Sequence, residues 1–260
     1  MMKIAILGGG NMGGAIAFGA VDQHLVAASD MTISHPSLSL RERFAQSGYP
    51  VVFTRNNVEA ISGAEIVVVA VKPWLAPEVY REIASTLRPD QILVSIVASL
   101  RLSELADLVG RPLQPVFRVT PNTAVTLGRS ATFICYQNAT EMQCKTIGSL
   151  FAALGECFFV EQAQMVAVTA LSSCGIAYAF KYIDAAVAGG VQLGLERAEA
   201  LRIVMQTMKG ALALLEANQT APQTEIDKVT TPGGITLRGL AAMEENGFTK
   251  AVIEGLKASK

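Results

Sequence analysis

Two short segments of this chain combine residue types that could do chemistry. The later one, Thr-Thr-Pro-Gly-Gly-Ile-Thr at residues 230–236, opens a predicted helix with hydroxyls and small residues. Pro232 has no backbone N–H, and Gly233 and Gly234 let a ligand lie against bare backbone. The N–H groups of residues 234–236 are then expected to be unpaired at the positive end of the helix dipole. Such an end would bind a small carboxylate.

This segment predicts a substrate site. Its candidate contacts are Thr231, Gly233, Gly234, Ile235 and Thr236. The alternative is an ordinary helix start that is capped by the hydroxyl of Thr230 or Thr231.

The earlier segment is Gly8-Gly9-Gly10-Asn11-Met12-Gly13, which follows a strand-like run from Lys3 to Leu7. In a GxGxxG turn, Gly8 permits the turn, Gly10 lets a pyrophosphate approach the backbone, and Gly13 lets the helix pack against the strand. The helix that begins near Asn11 and Met12 would stabilise the phosphate charge. The alternative is a glycine turn that binds no nucleotide, since it would show the same sequence pattern.

The end of the second predicted strand bears on the choice of cofactor. An NAD enzyme usually carries Asp or Glu there, to hold the ribose diol, but this chain has Ser34, His35 and Ser37. These groups, with Arg41, could accept a 2′-phosphate, so we expect NADPH to be preferred and NADH to be possible. Alternatively, Pro36 and the serines form only a turn and a helix cap.

Two other strand ends are candidates for the cofactor site. Val71, Lys72 and Pro73 end a central strand, where Lys72 could be a catalytic lysine or contact ribose or solvent. Thr120 to Thr123, which includes Asn122, could line the nicotinamide pocket or form an ordinary turn.

Residues 1–160 alternate β-branched runs with amphipathic stretches, which indicates βαβ units and a mainly parallel sheet. This part is predicted to be an α/β domain with a Rossmann-type, doubly wound sheet. The strands are predicted at Lys3–Leu7, Met31–Ser34, Val51–Phe53, Ile66–Val71, Gln91–Ile96, Val116–Val119, Ala131–Tyr136 and Cys157–Val160.

Residues 161–260 are rich in Ala, Leu, Met and Gly and are predicted to form an all-helical domain. Gly189, Gly190 and Gly194 are expected to break one helix. The next helix repeats apolar residues at intervals of three and four between Ala198 and Leu215, which marks one buried face. The small residues around Ala185 to Ala188 let helices approach closely, which suits either an internal bundle or a dimer interface.

Composition excludes several classes of partner. With 21 basic and 22 acidic residues, the chain lacks the basic field that nucleic acid or an anionic membrane requires. The four cysteines and two histidines lack metal-ligand spacing, so no zinc site is expected. Because Lys181 and Asp184 interrupt the longest apolar stretch, no membrane span is expected. Free thiols favour a cytoplasmic location.

These motifs resemble those of the pyrroline-5-carboxylate reductases over essentially the whole chain. The family's GxGNM matches residues 8–12, AVKP matches 70–73, RVMPNT matches 118–123, and DxVxxPGGxT matches 227–236. The chain departs from the family at several positions, with Thr120 for Met, Lys228 for Asn, and Ile176 for the proline of SGSGPAY.

The resemblance implies a Rossmann domain, followed by a helical domain that forms an intertwined homodimer and, in a larger assembly, a ring of dimers. It implies that NADPH-dependent reduction of 1-pyrroline-5-carboxylate yields L-proline, and that Thr236 is the catalytic threonine beside the imine nitrogen. The implied cofactor contacts are Asn57, Ala70, Val71, Lys72 and Ala98. The rival functions are another imine reductase, a β-hydroxyacid dehydrogenase with Lys181 as its general acid, and a non-catalytic nucleotide-binding protein.

Overall fold

The computed structural model of the chain describes residues 2–37, 39–97 and 100–259, and leaves out the side chain of Ser39. The chain folds as two compact units. Unit 1 is Met1–Ser173 and unit 2 is Cys174–Lys260. The domain boundary between residues 160 and 161 stays a prediction.

Unit 1 contains one eight-stranded sheet with the order β3-β2-β1-β4-β5-β6-β7-β8. The strands are β1 (Ile4–Leu7), β2 (Met31–Ser34), β3 (Val52–Thr54), β4 (Ile66–Val69), β5 (Ile92–Ser95), β6 (Val116–Thr120), β7 (Ser130–Gln137) and β8 (Gly155–Phe159). The first six strands run parallel, β7 runs antiparallel to β6, and β8 runs parallel to β7. All eight predicted strands are confirmed to within a few residues at each end.

Helices cover both faces of this sheet, which explains why its central strands have no polar alternation. The helices of unit 1 are α1 (Asn11–Asp22), α2 (Ser39–Gln46), α3 (Asn57–Ile61), α4 (Ala76–Ala84), α5 (Leu102–Val109), α6 (Glu141–Ala152) and α7 (Met165–Val168). Along β1, Ile4 and Ile6 join the buried cluster that contains α1, α2 and α6, and Ala5 and Leu7 join the cluster that contains α3, α4 and α5. The doubly wound α/β fold is therefore confirmed.

Unit 2 is helical throughout its described residues. Its helices are α8 (Gly175–Gln192), α9 (Arg197–Asn218), α10 (Pro222–Val229), α11 (Ile235–Glu245) and α12 (Phe248–Lys257). The prediction that glycines break the first helix is wrong for Gly189 and Gly190, because α8 continues through both. A Cβ on Gly190 would lie 3.1 Å from the Ala200 Cβ, so this glycine allows α8 and α9 to pack closely.

The apolar face of α9 is largely exposed in the single chain. Leu201 is 41% exposed, Met205 44% and Leu212 56%, and Ala200 is the one buried residue of this helix. The prediction that this face is buried is therefore wrong for the single chain. A dimer interface is consistent with this exposure, since large exposed apolar faces usually mark a contact surface.

The chain enters unit 2 through a long helical stretch. A π-helical turn at Thr169–Cys174 precedes α8, close to Ile176, where the family has proline. The stretch Gln162–Gln192 is long and apolar enough to cross a membrane, with a mean hydropathy of 1.4 in its most apolar window. The expectation that no apolar run reaches that length is therefore wrong. Length and composition are weak evidence for a span, however, because core helices of soluble proteins share both properties.

Candidate functional site

The glycine turn after β1 is fixed by close contacts on several sides. Gly8 has a φ of +103°, a region that favours glycine, and its N–H donates to the carbonyl oxygen of Ser34 at 2.8 Å. A Cβ on Gly8 would lie 2.6 Å from the carbonyl oxygen of Ala70. The turn therefore joins the carboxyl ends of β1, β2 and β4.

Two further glycines of this turn differ in their surroundings. A Cβ on Gly13 would lie 2.0 Å from the carbonyl oxygen of Gly8, so only glycine lets α1 pack this close to the turn. A Cβ on Gly10 would meet no atom within 4 Å. Gly10 is the N-cap of α1 without a side-chain cap, and Asn11 is exposed beside it while Met12 is half-buried. This open helix N-terminus has the shape and dipole that a pyrophosphate requires.

The end of β2 forms a hydrogen-bonded chain with two helices. The Ser34 hydroxyl donates to Asn57 Oδ1 at 2.7 Å, and Asn57 Nδ2 donates to Glu82 Oε2 at 2.7 Å. Ser34 and Asn57 are thus two predicted cofactor residues that lie in contact. Glu82, on α4, was not predicted, because no motif marks it.

The residues that follow Ser34 form a local turn. The Ser37 N–H donates to His35 Nδ1 at 3.1 Å, and the same nitrogen lies 3.1 Å from the Ser37 carbonyl oxygen. Arg41 is exposed on α2. This geometry matches the turn interpretation, and a phosphate contact at these residues stays a prediction.

The segment after β4 lies beside the glycine turn. The Ala70 N–H donates to the Leu7 carbonyl oxygen at 2.7 Å, and Val71 is half-buried. Lys72 and Pro73 are exposed at the start of a turn that leads into α4. The predicted contact Ala98 lies outside the described residues.

Asn122 is held by hydrogen bonds within unit 1. Its Oδ1 accepts from the Ala124 N–H at 3.0 Å, its Nδ2 donates to Ser172 Oγ at 3.1 Å, and its N–H donates to Ser130 Oγ at 3.1 Å. It therefore caps the short 3-10 helix Thr123–Leu127, as the turn interpretation expects. The neighbouring Thr120 hydroxyl is buried without a hydrogen-bond partner among the described residues.

In unit 2, the turn before α11 is tight and corrects one prediction. Gly233 has a φ of +73°, and the Gly234 N–H donates to the Thr231 carbonyl oxygen at 2.8 Å. The Gly234 N–H is therefore occupied, and the prediction that it is a free donor is wrong. A Cβ on Gly234 would lie 2.5 Å from Thr231 Oγ1, so the threonine side chain folds over this glycine.

The other backbone N–H groups in the first turn of α11 remain available as hydrogen-bond donors. In the described part of the chain, no group accepts from the N–H of Ile235 or Thr236, and the helix has no side-chain cap. The Thr230 hydroxyl instead donates to the Asp227 carbonyl oxygen, so the threonine-cap alternative is not observed. The Leu237 N–H, one position further along, is a donor that sequence analysis missed, although the helix start at Ile235 implies it.

A polar cluster fixes α10 just before this turn. The Glu225 carboxylate accepts from Lys228 Nζ at 2.7 Å, from the Thr220 hydroxyl and from Asn218 Nδ2 at 3.1 Å. These donors, Lys228 first, lower the pKa of Glu225 to about 2. Lys228, which stands where the family has asparagine, is thereby tied to its own helix.

Comparison with known proteins gives the family. A family model described as pyrroline-5-carboxylate reductase dimerisation matches residues 162–260, and one described as NADP oxidoreductase, coenzyme F420-dependent, matches residues 3–99. The pyrroline-5-carboxylate reductase of Pseudomonas aeruginosa is 33% identical over 99% of this chain and 94% of its own length.

Two further relatives extend this result. Pyrroline-5-carboxylate reductase 1 of Dictyostelium discoideum is 33% identical over 98% of this chain, which spans about half (48%) of that relative. The crystal structure of a Plasmodium falciparum pyrroline carboxylate reductase with NADP bound has a TM-score of 0.91 and 27% identity, over 99% of this chain and 95% of that one. The chain therefore belongs to the pyrroline-5-carboxylate reductase family.

Proposed function

We propose that this protein reduces 1-pyrroline-5-carboxylate to L-proline, with the nicotinamide cofactor on unit 1 and the substrate carboxylate at the start of α11. The observation that carries the proposal is the uncapped N-terminus of α11, with free N–H groups beside an exposed threonine, in a chain that aligns with these reductases over its full length. The domains are proposed to be residues 1–160 and 161–260, in keeping with the dimerisation match over 162–260.

The cofactor site is proposed to consist of the glycine turn and the neighbouring strand ends. The open space at Gly10 and the uncapped start of α1 support a pyrophosphate there. NADPH is proposed to be preferred over NADH, because no carboxylate stands at the end of β2. The proposed contacts are Gly8, Gly10, Asn11, Met12, Gly13, Ser34, His35, Ser37, Asn57, Ala70, Val71, Lys72, Pro73, Ala98 and Asn122.

The substrate is proposed to be held by its carboxylate. The N–H groups of Ile235, Thr236 and Leu237 point along the positive end of the α11 dipole, which favours an anion. The Thr236 hydroxyl would then hydrogen-bond the imine nitrogen and orient the ring. The remaining proposed contacts, Thr231, Gly233 and Gly234, shape the turn.

The reaction requires positioning more than acid–base chemistry. When bound, the reduced nicotinamide supplies the hydride that adds to the carbon of the C=N bond. The ring nitrogen gains its proton from water, because a cyclic imine is readily protonated. The role left to this chain is to hold the imine in a reactive geometry, a contribution that is large in enzymes generally.

The protein is also proposed to be a cytoplasmic homo-oligomer. The dimerisation match and the exposed apolar face of α9 support a homodimer through the helical domain, and a ring of such dimers as a larger form. Because the dimerisation match includes the apolar stretch Gln162–Gln192, it supports packing of this stretch against a partner subunit rather than against lipid. Four free cysteines are consistent with a cytoplasmic location.

The test is an absorbance assay of the purified protein at 340 nm. We expect oxidation of NADPH, and more slowly of NADH, when 1-pyrroline-5-carboxylate is added, with proline as the product by mass spectrometry. Turnover of a β-hydroxyacid instead would identify the dehydrogenase alternative. Cofactor binding without turnover of any cyclic imine or hydroxyacid would identify a non-catalytic protein.

A further inference from the structure

The hydrogen-bonded chain from Ser34 through Asn57 to Glu82 has a fixed direction. A carboxylate can only accept hydrogen bonds, so the Asn57 group that faces Glu82 at 2.7 Å must be the NH₂ end. The amide oxygen of Asn57 therefore faces Ser34 and accepts its hydroxyl hydrogen at 2.7 Å. Glu82 thus decides which end of the Asn57 amide faces the end of β2.

This direction determines what Ser34 can offer a ligand. Its only hydroxyl hydrogen is committed to Asn57, so two oxygen lone pairs remain. A ribose 2′-hydroxyl can donate to those lone pairs. A 2′-phosphate presents mainly acceptor oxygens near neutral pH, so it would face Ser34 without a hydrogen bond.

The negative charge of Glu82 also favours a ribose 2′-hydroxyl over a 2′-phosphate at the end of β2. This carboxylate is one amide group away from Ser34, and like charges at short range repel. Both effects favour a hydroxyl over a phosphate at the end of β2. They oppose the NADPH preference that the missing acidic residue at that strand end predicts.

We infer that Glu82 is a positioning residue that acts through Asn57 to limit the preference for NADPH over NADH. This inference rests on the proposed cofactor site, in which the end of β2 receives the ribose 2′ position. If Glu82 no longer held Asn57, the amide could turn its NH₂ group toward Ser34 Oγ. Ser34 could then donate its hydrogen to a phosphate.

Two variants separate the hydrogen bond of Glu82 from its charge, and a third serves as a control. E82Q keeps the length but removes the charge, and its amide can donate to Asn57 Oδ1. E82D keeps the charge but withdraws the carboxylate by about 1.5 Å, the length of one C–C bond. E78Q is the matched control, because Glu78 is an exposed carboxylate one turn earlier on α4.

The first measurement is the ratio of kcat/KM for NADPH to kcat/KM for NADH. We expect this ratio to rise about 10- to 100-fold in E82Q and E82D, as for one gained hydrogen bond to a charged group, through KM rather than kcat. E78Q should stay within about 1.5-fold of the starting protein. If the ratio stays unchanged in E82Q, the inference is overturned. It is also overturned if the ratio rises in E82Q but stays unchanged in E82D, because the hydrogen bond to Asn57 would then have no effect.

A second measurement needs no turnover. Adenosine 2′,5′-bisphosphate and adenosine 5′-monophosphate are titrated calorimetrically into each variant, and E82Q and E82D should raise the affinity ratio for the bisphosphate. A shifted ratio in a protein that does not reduce 1-pyrroline-5-carboxylate would sink the proposed function and sustain the inference. An unshifted ratio in an active reductase, or the absence of any binding by either nucleotide, would sink the inference.

Discussion

The glycine turn after β1 and the glycine turn before α11 differ in what holds them. Around Gly8 and Gly13, added Cβ atoms would run into backbone atoms at 2.6 and 2.0 Å. Around Gly233, an added Cβ would meet no atom within 4 Å, although its φ of +73° still favours glycine. One turn is fixed by its neighbours and the other mainly by its own backbone.

This difference has a physical meaning for the two candidate sites. The first turn lies in a sheet that is covered on both faces within one unit, so its shape follows from folding of that unit. The second turn lies among exposed helices, where Gly234 and Thr231 supply the few local contacts. Substitutions of Gly8 and Gly13 should therefore act mainly on stability, and substitutions within residues 230–236 mainly on chemistry.

The largest expected effect is that of Gly13→Ala. Its Cβ would collide with the Gly8 carbonyl, so we expect a loss of more than about 3 kcal/mol in the free energy of unfolding, measured by urea denaturation. Gly10→Ala is the control, because its Cβ has open space. It should unfold within about 0.5 kcal/mol of the starting protein but bind NADPH about tenfold more weakly. Equal stabilities of the two variants would contradict the packing argument.

Thr236→Ala should act on turnover and leave stability alone. Because the side chain is exposed, its loss should not change the melting temperature. Loss of one hydrogen bond to the imine should lower kcat about 10- to 100-fold, with the Kd for NADPH unchanged by fluorescence titration. Thr236→Ser should recover most of the activity. Full activity in the alanine variant would remove Thr236 from the mechanism.

Glu225→Gln should produce a smaller, pH-dependent effect at the base of the second turn. Because the folded-state pKa of about 2 lies below the usual 4.5, the stabilisation by ionised Glu225 is present above pH 4.5 and is lost as the pH falls towards 2. The glutamine variant should therefore melt a few degrees lower at pH 6, and the gap should shrink between pH 4.5 and pH 3. A gap of constant size in calorimetric scans would show that the Glu225 charge contributes nothing.

Lys181→Ala should have the smallest effect. Lys181 is exposed on α8 and has no role in the proposed reduction. We expect kcat with 1-pyrroline-5-carboxylate to stay within about twofold of the starting value. A general acid would instead contribute about 100-fold or more, so a loss of that size would favour the hydroxyacid dehydrogenase alternative.

Most of the fold could be predicted from the sequence, because apolar runs such as Ile66–Val69 indicate buried parallel strands directly. The glycines inside α8 were misjudged because helix propensity is local, whereas the close approach of Gly190 to Ala200 is tertiary. The Glu82 contact was missed for a similar reason. It joins residues 25 positions apart, and neither residue type is unusual there.

Occupancy of the α11 donors could be predicted only in part. Sequence indicates a helix start and hence unpaired N–H groups, but not which of them the preceding turn uses. The Gly234 N–H is used because the left-handed Gly233 brings the chain back to the Thr231 carbonyl. The unpaired N–H groups are therefore those of Ile235, Thr236 and Leu237, and not those of residues 234–236 as the sequence predicts.

The reversed strand β7 has a consequence for how the chain folds. Among the described strands, β6 and β7 form the one antiparallel pair, and Thr120 and Ser130 are only ten positions apart in sequence. Parallel neighbours must first order a crossover segment, so closing their loops costs more entropy than closing this short connection. The β6–β7 pair is thus the least costly starting point for the sheet, and the parallel strands can add to the free edge of β6 afterwards.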